Sequence, residues 1–430
     1  MYLALVMQGF ARLRGRLWHA TVMRSGMLTM IVLTLVLMAM AFGWHEHRLG
    51  QFGQLKRDLK QKPLRDDAST IRPGGQEAIL LERSQFGGGS GPEFLSATLL
   101  PGRGMNVLQI TAYLPDKGEV SLLASPSLAE ANRLMNGTGV DASGTESLEM
   151  GGAIEAPWAG RISGAVSDGE LTAVWHGRRL SLPVTGADMM ATGGLLLNRA
   201  STTQSSNVMP DGGEAKGSYR AGDFNGHWIS QTDITTTVEL SGRAIEMTVQ
   251  ARNSGTEAEP MGIGWQPRFA ILSGNRGQVT LRLPTADHAE VADRRNGLPS
   301  GRVLPVAGTE YDFTGHNGAR LGSLSLDDCF VHLKQAFMDI GPVAELHDPE
   351  SDYGLRITAM TSNIKAMRVY APADANFISI DPQFNFDDPL GREWPKDEDT
   401  GMVVLQPGQA VQWKIRLEIF SLTQDDPQQL

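Results

Sequence analysis

The chain has 430 residues, 41% hydrophobic and 20% charged, a composition that buries a substantial core and excludes general disorder. Its net charge of −10 is unevenly spread: residues 1–65 carry ten Lys/Arg against Glu46 and Asp58, leaving 28 basic against 46 acidic residues, a net −18, in the rest. So acidic a body excludes nucleic acid as a partner, and the single cysteine, Cys329, excludes an intramolecular disulfide framework or a Cys-based zinc cluster.

Residues 1–26 form a basic N-terminus with Arg12, Arg14, Arg16 and Arg24. From Met27 to Trp44 follow eighteen residues without a charge, at the short end of what spans a bilayer as a helix. The arginines before this run place the N-terminus in the cytoplasm and the body outside it, on the periplasmic or extracellular face. The run reads as an uncleaved signal anchor. The alternative is a cleaved signal peptide, since Ala39-Met40-Ala41 fits a small-x-small cleavage site.

Residues 45–75 are polar, contain Pro63 and Pro73, and read as a juxtamembrane linker. The body, residues 76–423, is dominated by period-two alternation, and residues 424–430 are a polar tail. One short helix is expected over Ser127–Leu134. Ala244–Arg252 alternates Ile245, Met247, Val249 and Ala251 with polar partners, and Val411–Ile419 alternates Val411, Trp413, Ile415, Leu417 and Ile419 in the same way. Shorter strands are predicted over Val279–Leu283, Gly354–Ala359 and Ala366–Tyr370. Turns are marked by Asn253-Ser254-Gly255, Asn296-Gly297 and Pro407-Gly408. Many short strands between Gly/Pro turns describe an all-β protein, a large antiparallel β-sandwich. Cys329 reads as a small buried strand residue rather than a nucleophile. The acidic pairs Asp387-Asp388 and Asp397-Glu398-Asp399 lack EF-hand spacing and read as solvated loop charge.

Seven segments, in order, resemble the aldose 1-epimerase (galactose mutarotase-like) family: GGAIEAPWAGRISG (151–164), ATGGLLLNR (191–199), NSGTEAEPMGIGWQPRF (253–269), GTEYDF (308–313), LDDCF (326–330), FISIDPQFN (377–385) and GMVVLQPGQAVQWKI (401–415). The resemblance implies a galactose mutarotase-like supersandwich with a cleft for a monosaccharide or the end of a glycan, and no cofactor or metal. It also implies general acid–base chemistry: a carboxylate takes the proton of the anomeric hydroxyl while a histidine protonates the ring oxygen.

Carried onto this sequence, the resemblance makes Asp381, in Ile380-Asp381-Pro382, the candidate base where the family has glutamate. The side chain is shorter by one methylene, roughly 1.5 Å of reach. The acid's position holds Gln266, in Gly264-Trp265-Gln266-Pro267; glutamine can bind substrate by donating a hydrogen bond to a ring oxygen, but it has no proton to give near neutral pH. The family's second histidine falls at Gly193, and an asparagine that often precedes the binding arginine is Gly160. Arg161 and Asp327 match residues that reach sugar hydroxyls, with a surface arginine and a turn-capping aspartate as the plainer readings. Trp265 is a candidate stacking face or a core residue, and His227 a candidate replacement acid. The expectation is therefore a membrane-tethered, exported carbohydrate-binding protein with weak or no epimerase chemistry. An active aldose 1-epimerase using Asp381 is the alternative, and an envelope scaffold with a vestigial cleft the remoter one.

Overall fold

The alternation in the sequence becomes the sheet pattern of the computed structural model, which describes residues 71–84, 91–185 and 189–423 together with Met38. Strand Ala244–Asn253 buries Ile245, Met247, Val249 and Ala251 and turns Gln250 and Arg252 to solvent. It pairs with Ala410–Phe420, whose Val411, Trp413, Ile415, Leu417 and Ile419 are buried on the same face. The shorter strands form at Thr280–Arg282, Tyr353–Ala359 and Ala366–Ala371, and the helix at Leu128–Leu134 with Ser127 as N-cap.

Two large sheets make up the body, one of twelve strands and one of nine, with antiparallel pairing between their strands. Their facing sides share one apolar core, in which Trp413 of the nine-stranded sheet donates from Nε1 to the Pro382 carbonyl of the other at 3.0 Å. A sandwich buries alternate residues of each strand and leaves the other face of each sheet for polar groups. On the twelve-stranded sheet that second face carries the site.

The strands that matter for it are numbered here in chain order: β1 Gly152–Glu155, β2 Gly264–Pro267, β3 Asp287–Asp293, β4 Leu298–Pro305, β5 Leu326–Val331, β6 Ala366–Ala371 and β7 Phe377–Gln383. In space they run β1-β2-β7-β6-β5-β3-β4.

The basic N-terminus, nearly all of the apolar run 27–44 and most of the linker lie outside the described residues. Among the described residues no helix is long and apolar enough to cross a membrane. Pro73 is already buried, with Gly74 pressed on the Gly102 carbonyl, so the body begins ahead of residue 76.

Candidate functional site

Register brings together residues that are far apart in sequence. Cys329 of β5, Arg368 of β6 and Asp381 of β7 stand directly opposite one another, and so do Asp327, Tyr370 and Ser379 one pleat along. Opposite residues share a face, so these six side chains lie on one side of the sheet, with Met367, Val369 and Ile380 on the core side.

Arg368 is the centre of this face. Its Nη1 lies 3.2 Å from Asp381 Oδ2, its Nε 3.4 Å from Asp387 Oδ2, and its Nη2 donates to Asp327 Oδ1. Arg161 takes the other side of the same acids, with Nη2 2.5 Å from Asp327 Oδ2 and Nη1 3.8 Å from Asp387 Oδ2. Two arginines thus share two aspartates, and Arg368 holds a third. The acids opposite Arg368 hold its guanidinium protonated against the cost of its burial. Asp327, the most open member, is held below the usual carboxylate range because the two arginines outweigh its own desolvation.

Asp381 is 1% exposed, and burial raises its pKa to about 7 despite Arg368 and the Ser379 hydroxyl, which donates to its Oδ1 at 2.5 Å. Glu155 of β1 accepts from the Gly160 N–H at 3.3 Å, and burial beside Asp381 raises it to about 8. At neutral pH Glu155 is therefore largely protonated. The cluster limits its excess negative charge by retaining protons.

Backbone packs tightly around the cluster. A Cβ on Gly160, which has φ +68°, would run into Asp387 Oδ1, so the carboxylate occupies the space a side chain at 160 would take. A Cβ on Gly297, in the β3–β4 turn at φ +67°, would strike Arg161 Nη1, which places that turn directly over the Arg161–Asp327 pair. Beside it Arg294 reaches Asp328 at 2.7 Å. At Gly193 a Cβ would meet Leu148 and Leu197, an apolar setting for the missing histidine.

Of the candidates from sequence, Arg161, Asp327 and Asp381 come together. Gln266 is buried on β2, and its side chain makes no hydrogen bond among the described residues. Trp265 is fully buried, packed over Gly152 and edge-on to Phe269 at 5.8 Å, which is the core reading. His227 stands apart: its Nδ1 is 2.7 Å from the Ser181 carbonyl, and it lines a separate cavity of about 580 Å³. His176 stacks on Trp175, His332 sits between Asp287 and Glu398, and His316 is exposed. No histidine among the described residues hydrogen-bonds to Asp381. Neither that cavity nor a second one of about 610 Å³ beside His332 is lined by Arg368 or Asp381.

One expectation needs correction. Asp387 and Asp388 are not solvated loop charge: they are 2% and 1% exposed, Asp387 against the two arginines and Asp388 accepting from the Ser163 N–H at 2.9 Å. Solvation was the cheaper assumption for a loop, but the guanidinium groups replace the water. Arg368 and Glu155 were not anticipated at all. The one trace of Arg368 in the sequence is a charge at the outward position of the alternating stretch Ala366–Ala371.

The profile of the aldose 1-epimerase family matches residues 130–418, more than half of the chain. The chain belongs to that family. Among solved structures, a galactose mutarotase-like protein from Clostridium acetobutylicum superposes with TM-score 0.63 at 17% identity, over 77% of this chain and 95% of that one. An aldose epimerase homologue from C. elegans gives 0.60 at 16%, over 80% and 98%. Galactose 1-epimerase from Lactobacillus acidophilus gives 0.56 at 15%, over 80% and 98%. At such identities these likenesses establish the fold. No curated protein sequence matches this chain.

Proposed function

We propose that this member of the aldose 1-epimerase family binds a carbohydrate, a monosaccharide or the end of a glycan, with little or no anomer interconversion. The observation that carries this reading is the engagement of Asp381 by Arg368. A general base must reach the anomeric hydroxyl at hydrogen-bond distance with a free lone pair. Asp381 is buried, its Oδ2 faces Arg368 and its Oδ1 lies 2.5 Å from the Ser379 hydroxyl, which also reaches the Pro267 carbonyl. Gln266 and Gly193, where the acid and the second histidine are expected, have no proton to give a ring oxygen near neutral pH, and the proton of Glu155 is buried at 1% exposure. Arg161 and Asp327 pair with each other, but they are the more open rim of the cluster, and Arg161 Nη1 makes no hydrogen bond among the described residues; they are the donor and acceptor proposed for sugar hydroxyls beside the Gly297 turn.

The charge-free run 27–44 after a basic N-terminus supports a body exported and held at a membrane. Fractionation of the expressed full chain tests this: recovery in the membrane pellet is expected, and its loss on deleting 27–44 would assign the tether to that run.

Polarimetry of α-glucose and α-galactose with the purified chain tests the chemistry. The reading expects a rate equal to buffer, together with saturable sugar binding that weakens in Arg161→Ala. A strong acceleration abolished by Asp381→Asn would instead establish an active epimerase.

A further inference from the structure

The cavity beside His227 lies outside the Arg368 cluster and has a makeup of its own. One wall, formed by residues 139–142, is fixed from behind: Arg103 and Asp141 are fully buried and paired, Nη2 to Oδ1, at 2.7 Å. The same arginine donates from Nη1 to Asn198 Oδ1 at 2.9 Å, fixing the residue before Arg199. Arg199 itself lies 5.5 Å over the Phe224 ring. Phe224 and Asn225 both hold left-handed backbone, φ +52° and +64°, costly for a bulky aromatic and a frequent mark of a constrained functional loop. Arg199 is half-buried, and its guanidinium forms no hydrogen bond or ion pair among the described residues, although Asp223 lies near enough to offset part of its desolvation. Opposite it, the bond from His227 to the Ser181 carbonyl must be donated by Nδ1–H, so in the neutral ring Nε2 carries the lone pair.

A half-buried guanidinium stacked on Phe224, with no hydrogen bond among the described residues and only Asp223 to offset its desolvation, has donors free for an anion, and an imidazole lone pair accepts a hydroxyl. Thr185, Asn198 and Asn225 add polar groups to the lining, and the volume of about 580 Å³ suits a small ligand. We propose that this cavity is a second binding site, for an acidic monosaccharide whose negative group sits on Arg199 and one of whose hydroxyls donates to His227 Nε2. The negative group is a carboxylate or a phosphate. This site shares no lining residue with the Arg368 cluster and does not depend on what that cluster binds.

Calorimetric titration of the full chain with glucuronate, glucose 6-phosphate and glucose at low salt tests the proposal. Saturable binding of an acidic sugar is expected, weakened about ten-fold or more in Arg199→Gln, the loss of one hydrogen-bonded charge contact. Glucose, which lacks the anion, is expected to bind equally well to Arg199→Gln and to the unmodified chain. Preference for glucuronate or for glucose 6-phosphate names the anion. If Arg199→Gln fails to fold, the His227 ring resonances of the unmodified chain carry the test, and they are expected to shift as the acidic sugar is added. No binding of an acidic sugar, glucose binding that weakens as much as the acidic sugar's in Arg199→Gln, unchanged affinity in folded Arg199→Gln, or unmoved His227 resonances would each overturn the proposal.

Discussion

Arg368 and Asp381 face one another in register across β6 and β7, with Nη1 3.2 Å from Oδ2, and both side chains are almost fully buried. The carboxylate at the family's base position is thereby held by an arginine belonging to the same sheet. That pairing places the candidate base inside a network of ion pairs with Arg368, Arg161, Asp327 and Asp387.

Removing Arg368 leaves Asp327, Asp381 and Asp387 without their shared partner. Breaking a buried pair from one side costs about 3–5 kcal/mol, because the remaining charge stays buried. Arg368→Leu is therefore expected to lower the thermal midpoint by several degrees or more, measured by circular dichroism. Arg368→Lys keeps the charge without the planar fork and should fall between the two. An unchanged midpoint in Arg368→Leu would show that the network does not hold the fold.

Stability should fall as pH rises above neutrality. Burial raises Glu155 to about 8 and Asp381 to about 7, and Glu259 likewise to about 7. Each binds its proton more tightly folded than unfolded. Each therefore contributes stability fully below its ordinary carboxylate pKa and loses it as pH rises through the folded value, at about 1.4 kcal/mol per pH unit for each proton. Glu345, held well below the usual carboxylate range by His347, Arg282 and Arg356 against its burial, acts with the opposite sign, but its contribution is lost only in acid. Buried His288, lowered by desolvation, acts below its ordinary value. Thermal midpoints are expected to drop between pH 7 and 8.5, and Glu155→Gln to flatten the drop. A rising midpoint over that range would contradict the protonated state of the cluster.

Restoring the missing acid alone should not restore chemistry. Gln266→His supplies a group with a suitable pKa, yet Asp381 remains bound to Arg368 and Ser379. Polarimetry of α-galactose is expected to give the buffer rate in this variant. A rate ten-fold above buffer would mean that Asp381 reaches the sugar after all.

Cys329 should be inert in the native chain. It is 2% exposed, opposite Arg368, and burial raises its thiol well above the ordinary value. With Ellman's reagent at pH 8, native protein should remain unlabelled over an hour, while guanidinium-unfolded protein takes up one equivalent. Fast native labelling would show the cluster opening to solvent.

The strands Ala244–Asn253 and Ala410–Phe420, the short helix after Ser127 and the burial of Cys329 were all legible in the sequence, because each rests on local rules: the two-residue period of a strand, a helical stretch between turns, a small residue inside a strand. The family's motifs likewise located Arg161, Asp327 and Asp381. What those residues do is not a local property. Arg161 meets Asp327 across 166 positions, and Arg368 meets Asp327 across 41. Asp387, a plausible solvated loop acid in isolation, is buried by its approach to both arginines. Charge state follows burial and neighbours, and both are set by strand register and by the glycines at 160 and 297 that let backbone close over the cluster. The chain's alternation fixes which face each residue takes, while the pairing of β5, β6 and β7 determines that a candidate base stands opposite an arginine.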